Sequence, residues 1–106
     1  MAVHSFKNAG AGVAISGATI IYSCPGSTQA TVHSLSIANV KSSGSAAISI
    51  YLNDGGYDWT ILKDAVIEEG NSLVWDKPIN LTDTDLIKVA GVAGEVEAFA
   101  SILEIS

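Results

Sequence analysis

The sequence predicts an all-β domain, an antiparallel β-sandwich of jelly-roll character with about seven or eight strands. Three observations carry this. Apolar residues alternate with a period of two, and no segment of useful length places them at helical spacing. Turn-forming residues recur at short intervals. Charged residues make up only 15% of the chain, with Ser, Thr, Ala and Gly in their place, which suits exposed strand faces better than exposed helix faces. At 106 residues the chain is one domain with a single core.

Taken in order, residues 1–18 are expected to form an N-terminal arm or a first strand, with the sandwich over residues 19–106. The glycines of "AVHSFKNAGAGVAIS" let an arm follow a surface, and Val3 and Phe6 are its expected anchors on a neighbour. On this reading a chain lacking residues 2–12 still folds but attaches poorly. A weak strand pattern covers Val13–Ser16. Firmer strands are expected at Thr19–Ser23, Thr31–Asn39, Ala46–Asn53, Tyr57–Lys63, Ser72–Trp75, Leu86–Ala90 and Glu95–Ile105. Turns separate them at Pro25-Gly26-Ser27, Ser42-Ser43-Gly44, Asp54-Gly55-Gly56, Glu69-Gly70-Asn71, Asp83-Thr84-Asp85 and Gly91–Gly94, where Gly, Asn and Asp supply positive φ or local hydrogen bonds. Val32 and Leu35 have opposite parity within one strand, which predicts a bulge or burial on both faces. In the last strand Val96, Ala98, Ala100, Ile102 and Glu104 share one face, and Phe99, Ser101, Leu103 and Ile105 the other. Small or apolar groups on both sides are the pattern of a strand covered on both faces.

Charge narrows the partners. The net charge is −6, and the five cations are all lysines, no two closer than eleven residues. Phosphate binding needs clustered cations and guanine readout favours arginine, so nucleic acid is not expected. No apolar run has the length of a membrane span. The stretch Ala9–Ile21 has the length of a signal-peptide core but is broken by Gly10, Gly12, Ser16 and Gly17. The chain is expected to be soluble, unprocessed and part of an assembly, since its weakly charged surface favours cover by other subunits.

The inventory of reactive groups is thin. Cys24, the single cysteine, and His33 lie nine residues apart. A turn and half a strand separate them, and no third group orients the base that a thiol nucleophile requires. They are expected to be a packed thiol and a histidine on a strand face. Tyr22 is wrong for the small residues that precede a lipidated cysteine. Asp83-Thr84-Asp85, with Asp76 upstream, carries hard oxygen ligands without calcium-loop spacing, and closes a turn equally well. Glu68-Glu69 reads as solvated loop. Glu95 and Glu97 share a strand face without an apolar pocket to separate their pKa values. Asn80-Leu81-Thr82 is a glycosylation triplet with no secretory context, and Ala9-Gly10-Ala11-Gly12 lacks the lysine of a phosphate loop. Neither enzyme activity, cofactor nor metal is expected. Trp59 and Trp75 lie on expected strands, in the core or against another subunit; with Tyr57 they are candidate contacts.

The run Thr19–Cys24-Pro25 followed by Ala30–Val40, "ATVHSLSIANV", resembles a family of small bacteriophage virion proteins, in which a strand ends in Tyr-x-Cys-Pro and the next reads Val-His-Ser-Ile-x-Ile-Ala-Asn. "TILKDAVIEEGNSLVWDKPINL" is similar to that family's Gly-(Asn/Ser)-Ser-Leu turn and Asp-Lys-Pro, and "DLIKVAGVAGEVEAFASILEIS" to its closing hairpin. The resemblance covers about Ile20–Ser106. It implies a β-sandwich added to the virion, most simply a capsid decoration or cement protein on the outer shell. The implied partners are copies of itself, with a trimer preferred, and the major capsid protein or other virion proteins. A tail fibre, baseplate or receptor-contact part is the alternative within the virion. A carbohydrate-binding sandwich stacking sugars on Trp59, Trp75 or Tyr57 is the alternative outside it.

Overall fold

The computed structural model describes residues 4–12, 17–92 and 94–105. These form nine strands: β1 (His4–Gly12), β2 (Gly17–Ser23), β3 (Gln29–Asn39), β4 (Ala46–Asn53), β5 (Asp58–Ile67), β6 (Ser72–Trp75), β7 (Ile79–Leu81), β8 (Leu86–Gly91) and β9 (Val96–Ile105). One sheet has the order β1-β9-β3-β6, with the short β7 continuing beside β3; the other has the order β2-β8-β4-β5. All pairings are antiparallel. Strands that follow one another in sequence mostly alternate between the two sheets, which is the jelly-roll arrangement.

The expected β4 and β6 coincide with the observed strands, and β2, β3, β8 and β9 agree within two residues. Three differences have physical causes. His4–Gly12, left open between arm and strand, runs as a strand whose nine residues all pair with β9. Its glycines hid it, and β9 supplies the ladder that its own side chains do not signal. β5 continues four residues beyond its expected end at Lys63 because Asp64 adopts φ 52° in a bulge, its N–H donating to the Ser49 hydroxyl at 3.0 Å. β7 is three residues long, too short for alternation to register. The expected segment Val13–Ser16 lies outside the described residues.

Every one of the six expected turns holds a residue of positive φ: Ser27, Gly44, Gly55, Gly70, Thr84 and Gly94. At Gly55, φ is 101°, a value that a side chain would strain. The expected bulge in β3 is also present. Pairing with β9 shifts between Val32 and Ser34, so His33 is the extra residue and both Val32 and Leu35 reach the core. A second bulge at Ile21 lets Ile21 and Tyr22 both be buried.

The core lies between the sheets. Leu35 and Ile37 of β3, Ile48 and Ile50 of β4, Ile87 and Val89 of β8, and Ile102 of β9 are essentially inaccessible. Ala98 and Ala100 of β9 are small, which leaves room for the isoleucines of the facing sheet. Polar clamps join the two sheets at opposite ends. At one end the buried Asn39 of β3 donates to the carbonyls of Gly44 and Ile67, each at 3.0 Å, while its Oδ1 accepts from the Lys41 N–H at 2.9 Å. At the other, the Tyr22 hydroxyl of β2 donates to Glu104 of β9.

Candidate assembly surfaces

Period-two geometry sends alternate side chains of the β1-β9-β3-β6 sheet outward. The outward set on β9 is Glu97, Phe99, Ser101, Leu103 and Ile105. The register aligns Phe6 with Leu103, Asn8 with Ser101 and Gly10 with Phe99 on one side, and Ser36 with Phe99 on the other. Phe6 is 82% exposed, Val74 of β6 58% and Phe99 51%, so this face carries three of the large exposed hydrophobics. The Phe99 ring lies over Gly10, where an added Cβ would come within 3.1 Å of it. Between the Phe6–Leu103 row and the Phe99 row runs a shallow groove of about 240 Å³, bordered by Phe6, Asn8, His33 and Ser101.

A second apolar surface is the β4–β5 hairpin at one end of the other sheet. Tyr57 is 61% exposed and Trp59 55%, their rings in edge-to-face contact with centroids 4.8 Å apart. Asp54 organises the pair. One carboxylate oxygen accepts the Trp59 indole N–H at 2.9 Å, and the other accepts the Gly56 and Tyr57 backbone N–H groups, each at 3.2 Å. These donors, the indole foremost, hold the Asp54 carboxyl below the usual range. Alongside, Asp58 accepts from Asn53 at 2.7 Å and from Lys88 at 3.2 Å. The indole is therefore presented in a fixed orientation.

The remaining candidates disperse. Trp75 faces inward on β6 opposite Leu35, packs against the core, and carries the Lys77 ammonium 4.7 Å from its ring centroid. Val3 lies outside the described residues. Structure thus brings Tyr57 and Trp59 together, sets Phe6 on the opposite sheet, and turns Trp75 toward the interior.

Cys24 and His33 do not meet. The Cys24 thiol is buried and donates to the Thr28 carbonyl at 3.4 Å, whereas His33 is exposed on the outer sheet face. Burial, reinforced by the negative charges of Glu104, Asp85 and Asp83, pushes the thiol pKa up, the wrong direction for a nucleophile. Asp85 closes its own turn, accepting from the Thr82 N–H at 2.9 Å, and Asp83 bridges to the β2–β3 turn, accepting from the Ser27 N–H at 3.3 Å. Glu95 sits in the β8–β9 turn paired with Lys41 at 3.1 Å, and Glu97 projects from β9 into solvent. Among the described residues no three His, Cys, Asp or Glu side chains gather as a metal site.

One buried ionisable cluster escaped the sequence reading. Glu104 is 8% exposed, accepts the Tyr22 hydroxyl and pairs with Lys7 at 3.2 Å. The Tyr22 hydrogen bond, helped by Lys7, holds the Glu104 carboxyl below its usual range despite burial. Burial, with Glu104 beside it, pushes the Tyr22 phenol well above its ordinary value. A glutamate near a strand end gives no sign in sequence of a partner 82 residues away.

Neither a family model nor a curated protein matches the sequence. Solved structures do match in fold. A chain from the disulfide-linked pili formed by Bacillus endospore appendages aligns with a TM-score of 0.58 at 19% identity, covering 99% of this chain and 88% of that one. A chain from the acid-stable capsid of Helicobacter pylori bacteriophage KHP30 aligns at 0.57 and 15% identity, covering 100% and 92%. A pentameric capsid protein from metagenomic phage sequences superposes more loosely, at 0.45 and 17% identity over 95% and 59%. The chain is thus a jelly-roll β-sandwich of a kind found in phage capsids and in pili.

Proposed function

We propose that this chain is a non-catalytic structural subunit of a bacteriophage virion, a decoration protein on the outer capsid surface that self-associates and stabilises the shell. The fixed, exposed Tyr57–Trp59 pair carries this reading: an anchored aromatic group at low entropic cost is what a partner surface engages most strongly. Two further features support it. The Cys24 thiol is buried and does not meet His33, and the fold is shared with a chain of a phage capsid. Shallow contacts repeated by symmetry would supply the strength through avidity.

Rebinding tests the anchor. Purified protein added to particles lacking it is expected to bind, and Trp59→Ala to weaken binding at least about tenfold while the circular dichroism spectrum stays the same. Undiminished binding by that variant would remove the hairpin from the contact. The same pair favours a second reading, a sugar-stacking platform; glycan binding lost in Trp59→Ala, by a protein that ignores capsids, would establish it instead.

A further inference from the structure

We propose that the outer face of the β1-β9-β3-β6 sheet is a self-complementary interface that docks on the same face of a second copy of this chain. The inference does not depend on where the protein resides. It starts from β9, whose two sides both have the composition of a covered strand, although the sandwich covers only one. The uncovered side bears Phe99, Ser101, Leu103 and Ile105, with Phe6 and Val74 on neighbouring strands.

Charge points to the occupant. The chain carries sixteen charged residues at a net −6, so two copies repel unless they meet on neutral surface. Among the described strand residues of this face only Glu97 is charged. The opposite sheet presents Lys88 and Asp58 outward, paired with each other at 3.2 Å. Four strands at about 4.8 Å spacing and about 30 Å length offer roughly 600 Å² per copy. A face-to-face pair would then bury about 1,200 Å², the lower end of specific interfaces.

The register supplies the complementarity. Consider a two-fold axis that crosses the strands at Ser101. It superposes the row of Leu103 and Phe6 on the partner's row of Phe99 and Gly10. Each Phe6 ring then meets the partner copy's Phe99 ring, which already lies over its own Gly10. The same axis sets the His4 end of β1 above the partner copy's Glu97, where an imidazole N–H can donate to the carboxylate. Every contact occurs twice, as an isologous interface requires.

Sedimentation equilibrium of the full chain tests this. The wild type is expected to be a dimer in reversible equilibrium with monomer. Phe6→Ser and Phe99→Ser, each checked for an unchanged circular dichroism spectrum, are expected to raise the dissociation constant at least about tenfold. Ile20→Ser, a hydrophobic on the other sheet as exposed as Phe99, is expected to leave it unchanged. Phe6 is so exposed that its replacement cannot unfold the core, which keeps the test decisive. A wild type that is monomeric throughout, or an assembly whose mass and dissociation constant ignore both phenylalanine variants, would overturn the proposal.

Discussion

Glu104 shows how a single residue couples the two sheets. It is a carboxylate buried between β1, β2 and β9, kept ionised by the Tyr22 hydroxyl and by Lys7. Lys7 is about half exposed, so solvent screens its share and the tyrosine hydrogen bond dominates. Folding lowers this carboxyl below its unfolded value near 4.3, so the native state binds fewer protons there. The resulting stabilisation is complete above that value and is lost as pH falls through the lower, folded pKa. Tyr22 has the opposite sign. Its raised pKa means its contribution is complete below about pH 10 and is lost as pH rises through the folded value. Glu104→Gln is expected to lower the unfolding free energy at neutral pH by about 1–3 kcal/mol and to flatten its acid dependence. Urea titrations of both proteins at neutral pH and about pH 3 check this; identical acid slopes would remove Glu104 from the account. Residues of this kind are the least legible in sequence. Glu104 shares a face with Ala100 and Ile102 and so is placed inward by alternation, yet nothing local names Tyr22 as its partner. Likewise Trp59 and Trp75 look alike in sequence, and only the pairing of β6 with Leu35 turns one inward.

At the scale of elements, turn chemistry and alternation were the readable signals, because both are local. Ser-Ser-Gly, Asp-Gly-Gly and Asp-Thr-Asp each need a positive φ that the flanking strands cannot supply, and each was found there. β1 was not readable as a strand, since it holds its place through β9 rather than through its own pattern. That changes the expectation for a chain lacking residues 2–12. Removal uncovers the ladder of β9 and takes Lys7 from Glu104, so the shortened chain is expected to lose stability as well as contact. A melting temperature equal to that of the full chain would show β1 to be dispensable for folding. The β3 bulge allows a sharper test. Val32 pairs with Ile102, Ser34 with Ser101 and Leu35 with Ala100. Deleting His33 therefore leaves regular alternation on both flanks, and is expected to cost only about 1–2 kcal/mol. Deleting Ile37 instead slips the register and turns the rest of β3 inside out, and is expected to abolish folding. Chemical denaturation distinguishes the two; equal damage would mean that the bulge itself specifies the sheet.

For the whole molecule, the jelly roll separates two tasks. Its interior is closed by aliphatic packing and by polar clamps at each end. Its exterior is divided into a weakly charged sheet face suited to its own kind and a hairpin with an oriented indole suited to something else. Low charge in the sequence raises the expectation of a covered surface without saying which, because exposure depends on strand order, and strand order depends on pairings across most of the chain. The fold is shared with a phage capsid chain and a pilus chain. The most direct test of the central claim is to locate this protein in purified phage particles by imaging, with its copy number measured alongside. Copies distributed over the whole outer shell are the predicted result. Absence from the particles, or confinement to a single tail-bearing vertex, would contradict a decoration role.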